Sequence, residues 1–236
     1  MIQKFFIITG LFFIINSQAA EVYEDQFHMI SEVKLVEVVN GVEVNVEEAE
    51  LPYIDNLKSA PIPAPGLPGV IMVTKDLLAL GKEIYKIVEA GRPVVNVDSD
   101  PFDILPKSDK GLDITPFDLT NWKAPRARKY RINATNYMGI KAAVFEFIVI
   151  FSYGGKYNGR GHYITGAQIK PTKVNVKWGY NLDASFKVQT ITNSGTKSEP
   201  IASSVISIDY IIKTVLQENR SSKLFYINGL GDLKAY

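Results

Sequence analysis

Residues 141–192 read KAAVFEFIVIFSYGGKYNGRGHYITGAQIKPTKVNVKWGYNLDASFKVQTIT. Most of this stretch alternates apolar and polar positions, the period of two that a pleated strand imposes on its side chains. From Ala142 to Tyr153 both phases are apolar, the pattern of a central strand covered on two sides. Lys173–Tyr180 puts Val174, Val176, Trp178 and Tyr180 on one face, and Leu182–Thr192 continues with Ala184, Phe186 and Val188 inward. Between these runs lies Tyr153-Gly154-Gly155-Lys156-Tyr157-Asn158-Gly159-Arg160-Gly161, a Gly- and Tyr-rich turn.

Further strands flank this stretch. Arg128–Thr135 precedes it. Ser204–Leu216 follows, with Ile206, Ile208, Tyr210, Ile212 and Leu216 on one face, and Lys223–Asn228 ends at Gly229 and Gly231. About seven strands separated by turns, with no helix between them, predict a mainly β fold. The expected form is an antiparallel β-sandwich over residues 122–236. Twelve Tyr and twelve Phe suit strands.

Nearer the N-terminus, Val33–Val46 alternates Val with Glu or Asn on either side of Asn40-Gly41. Both residues of a tight hairpin turn must tolerate positive φ, so this reads as a β-hairpin within an acidic segment, 21–58. Residues 59–69 hold four prolines and read as a linker. The next segment, 70–121, combines a helix and a loop. Thr74–Ala90 carries Leu77, Leu78, Leu80, Ile84, Ile87 and Val88 at helical spacing, with Gly91 and Pro93 beyond, and predicts one amphipathic helix lying over the sheet. Val94–Val97 reads as a short strand, and Pro101–Ala124 as a long loop.

Residues 1–20 have the layout of a secretory signal peptide: Lys4, an apolar run from Phe5 to Ile15, then small residues around a cut after Ala19 or Ala20. That run is too short to span about 30 Å of hydrocarbon. The expectation is an exported protein, periplasmic or secreted, with no transmembrane span. No cysteine is present, which excludes disulfides, thiolate metal sites, a cysteine nucleophile and a lipidated N-terminal cysteine.

Charge is unevenly placed. Ten acidic residues face one Lys between Glu21 and Leu57, whereas seventeen basic residues face six acidic ones from Lys123 to Tyr236. Either the two parts neutralise each other, or the basic part meets an anionic surface. The run Lys123–Arg131 concentrates the question in Arg126, Arg128, Lys129 and Arg131. For an exported chain it points to an anionic envelope component or an envelope protein, not to nucleic acid.

Other candidates each carry two readings. Tyr153, Tyr157, Arg160, His162 and Tyr163 are residue types that make contacts at recognition surfaces, while the glycines among them serve turn geometry equally well. Asp98, Asp100 and Asp103 offer close-set oxygen ligands for Ca²⁺, but Pro101 interrupts them and no Gly provides the sharp turn of an EF-hand loop. No other cofactor is expected. No Gly-x-Ser-x-Gly or HExxH pattern occurs. These observations lead to an exported, non-catalytic binding or assembly protein, with a carboxylate- or metal-dependent hydrolase as the alternative. A further reading has Val33–Val46 adding a strand to a neighbouring copy.

Overall fold

A computed structural model describes residues 22–23, 25–46, 85–89, 92–93, 100–108 and 114–236. The expected leader, the Pro-rich linker, Val94–Val97 and Asp98 lie outside the described residues. Twelve strands are described: β1 (Ile30–Val39), β2 (Val42–Asn45), β3 (Tyr85–Glu89), β4 (Arg92–Pro93), β5 (Phe102–Ile104), β6 (Lys123–Asn136), β7 (Lys141–Tyr157), β8 (Arg160–Val176), β9 (Asn181–Asn193), β10 (Ala202–Lys213), β11 (Glu218–Asn228) and β12 (Leu233–Ala235). They form two six-stranded antiparallel sheets, ordered β2-β1-β6-β7-β8-β5 and β12-β11-β10-β9-β3-β4. The fold is mainly β. Helix is confined, among the described residues, to a turn or so near the N-terminus and a 3-10 turn at Pro116–Asp118. No helix among them is long and apolar enough to cross a membrane.

Each sheet is built around a meander of sequence neighbours, β6-β7-β8 in one and β9-β10-β11-β12 in the other. The earlier strands add at the edges: β1 on β6, β5 on β8 and β3 on β9. Segments 21–58 and 70–121 therefore supply strands to the same two sheets as residues 122–236. The β1–β2 and β7–β8 hairpins both turn on Asn-Gly, with φ of 50° and 84° at Asn40-Gly41 and 52° and 75° at Asn158-Gly159. Gly at the second position adopts this region without a Cβ clash.

Phe145, Phe147, Val149 and Phe151 of β7 project from one sheet, and Ile206, Ile208, Tyr210 and Ile212 of β10 from the other, into one buried apolar cluster. Ring contacts bridge the sheets. Phe225 of β11 lies 4.9 Å from Tyr130 of β6 and 5.8 Å from Phe147, and Phe102 of β5 lies 6.0 Å from Phe186 of β9. Edge-on and tilted ring pairs at these separations add to the area they bury.

The N-terminal residues before β1 cross one end of both sheets. The Phe27 carbonyl accepts from Asn136 Nδ2 at 3.1 Å and from the Tyr180 hydroxyl. Tyr137 N–H donates to the Met29 carbonyl at 3.2 Å, and Ile30 N–H to Gln217 Oε1 at 2.7 Å. Gly179 lies so close to the His28 ring that a Cβ there would stand 2.8 Å from it. The strap thus binds the β6–β7, β8–β9 and β10–β11 turns.

Four expectations change. The helix over Thr74–Ala90 is not what Tyr85–Glu89 forms: these residues are β3, paired with β9 from Tyr85↔Ala184 to Val88↔Leu182. An available sheet edge satisfies their backbone groups in the extended form, and tertiary pairing overrides helical spacing. Residues 74–84 lie outside the described residues. Pro101–Ala124 is not simply loop, since it contributes β5 and buries Ile104, Leu105, Ile114 and Leu119. Trp178 does not continue an inward face. β8 ends at Val176, and the turn that follows, with Gly179 at φ +85°, leaves Trp178 77% exposed while Tyr180 is fully buried. Leu216 sits in the β10–β11 turn, exposed, instead of on the β10 core face.

Candidate functional site

The expected contact residues divide into two groups. Tyr153, Tyr157, Arg160, His162, Tyr163 and Arg126 gather at the β7–β8 hairpin end, opposite the strap. Arg128, Lys129 and Arg131 run away from it along β6, and strand alternation sends them to different faces. Arg128 shares the face of Tyr130, which is buried in the core, whereas Lys129 and Arg131 point away from it.

Two of the three arginines of β6, Arg128 and Arg131, are matched by acidic residues. In β1, Glu37 pairs in register with Tyr130, and its Oε2 lies 3.5 Å from Arg128 Nη1. Arg131 donates from Nε and Nη2 to Glu146 Oε1 at 3.0 and 2.7 Å, and from Nη1 to Glu43 Oε1 of β2 at 2.5 Å. Lys141 also reaches Glu43 at 3.1 Å. Arg131, then Lys141, hold the Glu43 carboxyl below the usual carboxylate range. Burial pulls against the Arg131 charge, but hydrogen bonds to Glu43 and Glu146 outweigh it, and its pKa lies above the ordinary value. The acidic hairpin and Glu146 therefore neutralise Arg128 and Arg131 within one molecule, while Lys129 between them is exposed with no carboxylate partner among the described residues.

The hairpin end is different. Lys123, Arg126 and Arg160 are all exposed, and none has a carboxylate partner among the described residues. Lys123 pairs in register with Tyr153, and Arg126 lies 5.9 Å over the Tyr153 ring, a cation–π distance. Arg160 pairs with Tyr157 beside the Asn158-Gly159 turn.

The aromatic side chains here are mostly turned inward, each against a glycine. A Cβ on Gly231 would meet the Tyr153 ring at 2.6 Å, one on Gly161 the Tyr163 ring at 2.6 Å, and one on Gly155 the Trp122 ring at 2.5 Å. Trp122 is held by its Nε1–H donating to the Pro116 carbonyl at 2.9 Å. That carbonyl sits in a 3-10 turn closed by Thr115 N–H on Asp118 Oδ2 at 2.8 Å, a bond that lowers the Asp118 pKa. The turn thus sets the ring that packs on β7. Tyr163 is buried, and burial together with nearby Glu199 raises its hydroxyl pKa.

His162 is a junction. Its N–H donates to the Pro200 carbonyl at 2.8 Å, and Glu199 Oε1 lies 3.7 Å from Nε2 while accepting from Gly161 N–H at 3.0 Å. A Cβ on Gly229 would stand 2.0 Å from the His162 carbonyl oxygen. β8, the β9–β10 loop and the β11–β12 turn therefore meet at this one residue.

Asp103 Oδ1 accepts from Thr165 Oγ1 at 2.6 Å and from Gly166 N–H at 2.9 Å, so it ties β5 to β8. Asp100 is exposed. No group of three or more His, Asp or Glu suited to a metal ion occurs among the described residues.

Sequence reasoning named Arg126 and Arg160 but passed over Lys123, although it opens the same basic run. It offered neutralisation by the acidic part as one reading but did not name Glu37, Glu43 or Glu146 as the partners. The visible signal for Glu146 was a lone carboxylate in an apolar strand, a placement that requires a partner. The chain matches no protein-family model, no curated protein and no solved structure.

Proposed function

We propose that the chain is an exported, non-catalytic binding or assembly protein of the cell envelope or secreted space. Its two sheets make an antiparallel β-sandwich, and the β7–β8 hairpin end contacts an anionic partner. The observation that carries this reading is the contrast along the basic strand. Arg128 and Arg131 are paired with Glu37, Glu43 and Glu146, whereas Lys123, Arg126 and Arg160 stand exposed with no carboxylate beside them among the described residues. Exposed cations grouped on one end raise the local concentration of anionic partners. The Gly-seated rings beneath them fix the backbone from which they project.

The test is retention of envelope fractions (membranes, wall polymer and soluble envelope proteins) on the immobilised mature chain, at low salt and at about 0.5 M salt, where screening shortens the reach of surface charges. One fraction is expected to bind at low salt and elute at high salt. Lys123→Gln, Arg126→Gln and Arg160→Gln together should reduce that retention at least tenfold with an unchanged unfolding midpoint. Retention of the triple variant equal to that of the parent overturns the proposal.

A further inference from the structure

The opposite end of the molecule carries a second surface, of apolar character. Three hairpin turns and the strap come together there. Trp178 in the β8–β9 turn is 77% exposed, Val215 and Leu216 in the β10–β11 turn 79% and 53%, and Tyr137 beside the β6–β7 turn 60%. Ile140 and Met29 are also exposed. Hydrogen bonds hold these tips together. Tyr137 N–H bonds the Met29 carbonyl, Lys177 N–H the Ala142 carbonyl at 2.8 Å, and Ile30 N–H the Gln217 side chain. Single exposed apolar residues are ordinary, but large ones from four chain excursions gathered on one end mark an interaction surface.

We propose that this end docks on a phospholipid bilayer, with Trp178, Leu216, Val215 and Tyr137 entering the interfacial layer. Trp and Tyr favour that layer because it accommodates an apolar ring and a polar edge at once. A cation fits the same partner: Lys177 adjoins Trp178, exposed and without a carboxylate partner among the described residues. Lysine is depleted in the cores of protein–protein interfaces, whereas next to a lipid surface it meets anionic headgroups. The apolar groups are also carried on separate turn tips, which suits shallow insertion. No strand or helix crosses the bilayer in this arrangement, and the surface is independent of the cations at the other end.

The experiment is co-sedimentation of the mature chain with vesicles of phosphatidylcholine and phosphatidylglycerol at 7:3, alongside tryptophan emission. The chain has two tryptophans. Trp122 is partly buried and hydrogen-bonded, so Trp178 should report the contact. Binding with a blue shift is expected. Trp178→Ser should remove the shift, and Trp178→Ser with Leu216→Ser should lower the bound fraction at least tenfold. All four side chains are exposed, so the unfolding midpoint of each variant should match the parent, and Leu216→Ser alone serves as a milder second variant. Equal sedimentation of parent and double variant, or no vesicle binding by the parent, overturns the proposal. Concentration-dependent self-association abolished by Trp178→Ser, without vesicle binding, would assign the surface to a second copy of the chain.

Discussion

Arg131→Ala is expected to destabilise the protein by about 3–5 kcal/mol, because it leaves the Glu146 carboxylate buried in β7 without its main partner. Glu146 is 6% exposed, and Arg131 donates two hydrogen bonds to it. An unpaired charge in such a place must be dehydrated or protonated, and either route is costly. A domain holds only about 5–15 kcal/mol in total, so urea unfolding at pH 7 should show a large fall in midpoint with the slope preserved. Replacing the pair together, by Arg131→Met with Glu146→Leu, removes both charges and should recover most of the loss. Equal destabilisation by the single and the paired replacement would mean that the ion cluster is not the cause.

The same cluster sets a pH dependence. The Glu43 pKa is lowered in the fold, chiefly by Arg131 and then by Lys141. A carboxyl with a depressed pKa contributes stability that is fully present above its unfolded value of about 4.3 and is lost as pH falls through the lower folded value. Acid titration of the parent should therefore loosen the β1–β2 hairpin from β6, and Glu43→Gln should flatten that part of the profile. The Glu43 side chain is 34% exposed, so solvent screens it and the effect is smaller than that of Arg131→Ala.

Phe225→Ala is the second large effect, a loss of about 3–5 kcal/mol. Phe225 is fully buried and touches Tyr130 and Phe147 across the space between the sheets. Removing the ring deletes contacts to both sheets at once and opens a cavity that neither backbone can close without shifting. The variant's unfolding midpoint should fall while its far-ultraviolet circular dichroism stays that of a β protein. A loss below about 1 kcal/mol would show that the sheets do not depend on this contact.

The strands were legible because their side chains obey a period of two that chain chemistry alone imposes. Asn40-Gly41 likewise announced its turn, since few other residue pairs tolerate its backbone angles. The error at Tyr85–Glu89 arose where apolar spacing at Ile84, Ile87 and Val88 suits a helix locally and an unoccupied edge of β9 decides otherwise. Trp178 was misplaced for a related reason. The alternation continues into Lys177-Trp178-Gly179, and only the positive φ of Gly179 reverses the chain there. Of the candidate site, Arg126 and Arg160 were visible as exposed residue types. That Arg131 is matched and Lys123 is not depends on which strand lies next to β6, and pairing across about ninety residues leaves no local mark.

The placement of the early strands at the sheet edges has a consequence for how the chain is made. Synthesis delivers β1 and β2 first, yet Glu37 and Arg128 are 91 residues apart, so the hairpin waits for its neighbour. β3 and β5 wait likewise for β9 and β8. The two meanders, each joined by short turns, close with little loop entropy and are expected to set first, with the oldest part of the chain docking last. Pulse-labelled hydrogen exchange during refolding should find the β1 amides protected after those of β7 and β10. Until that docking, β6 and β9 each present an open row of backbone donors and acceptors, and the nascent protein is most exposed to wrong partners in the interval when its own N-terminus has been made but not yet used.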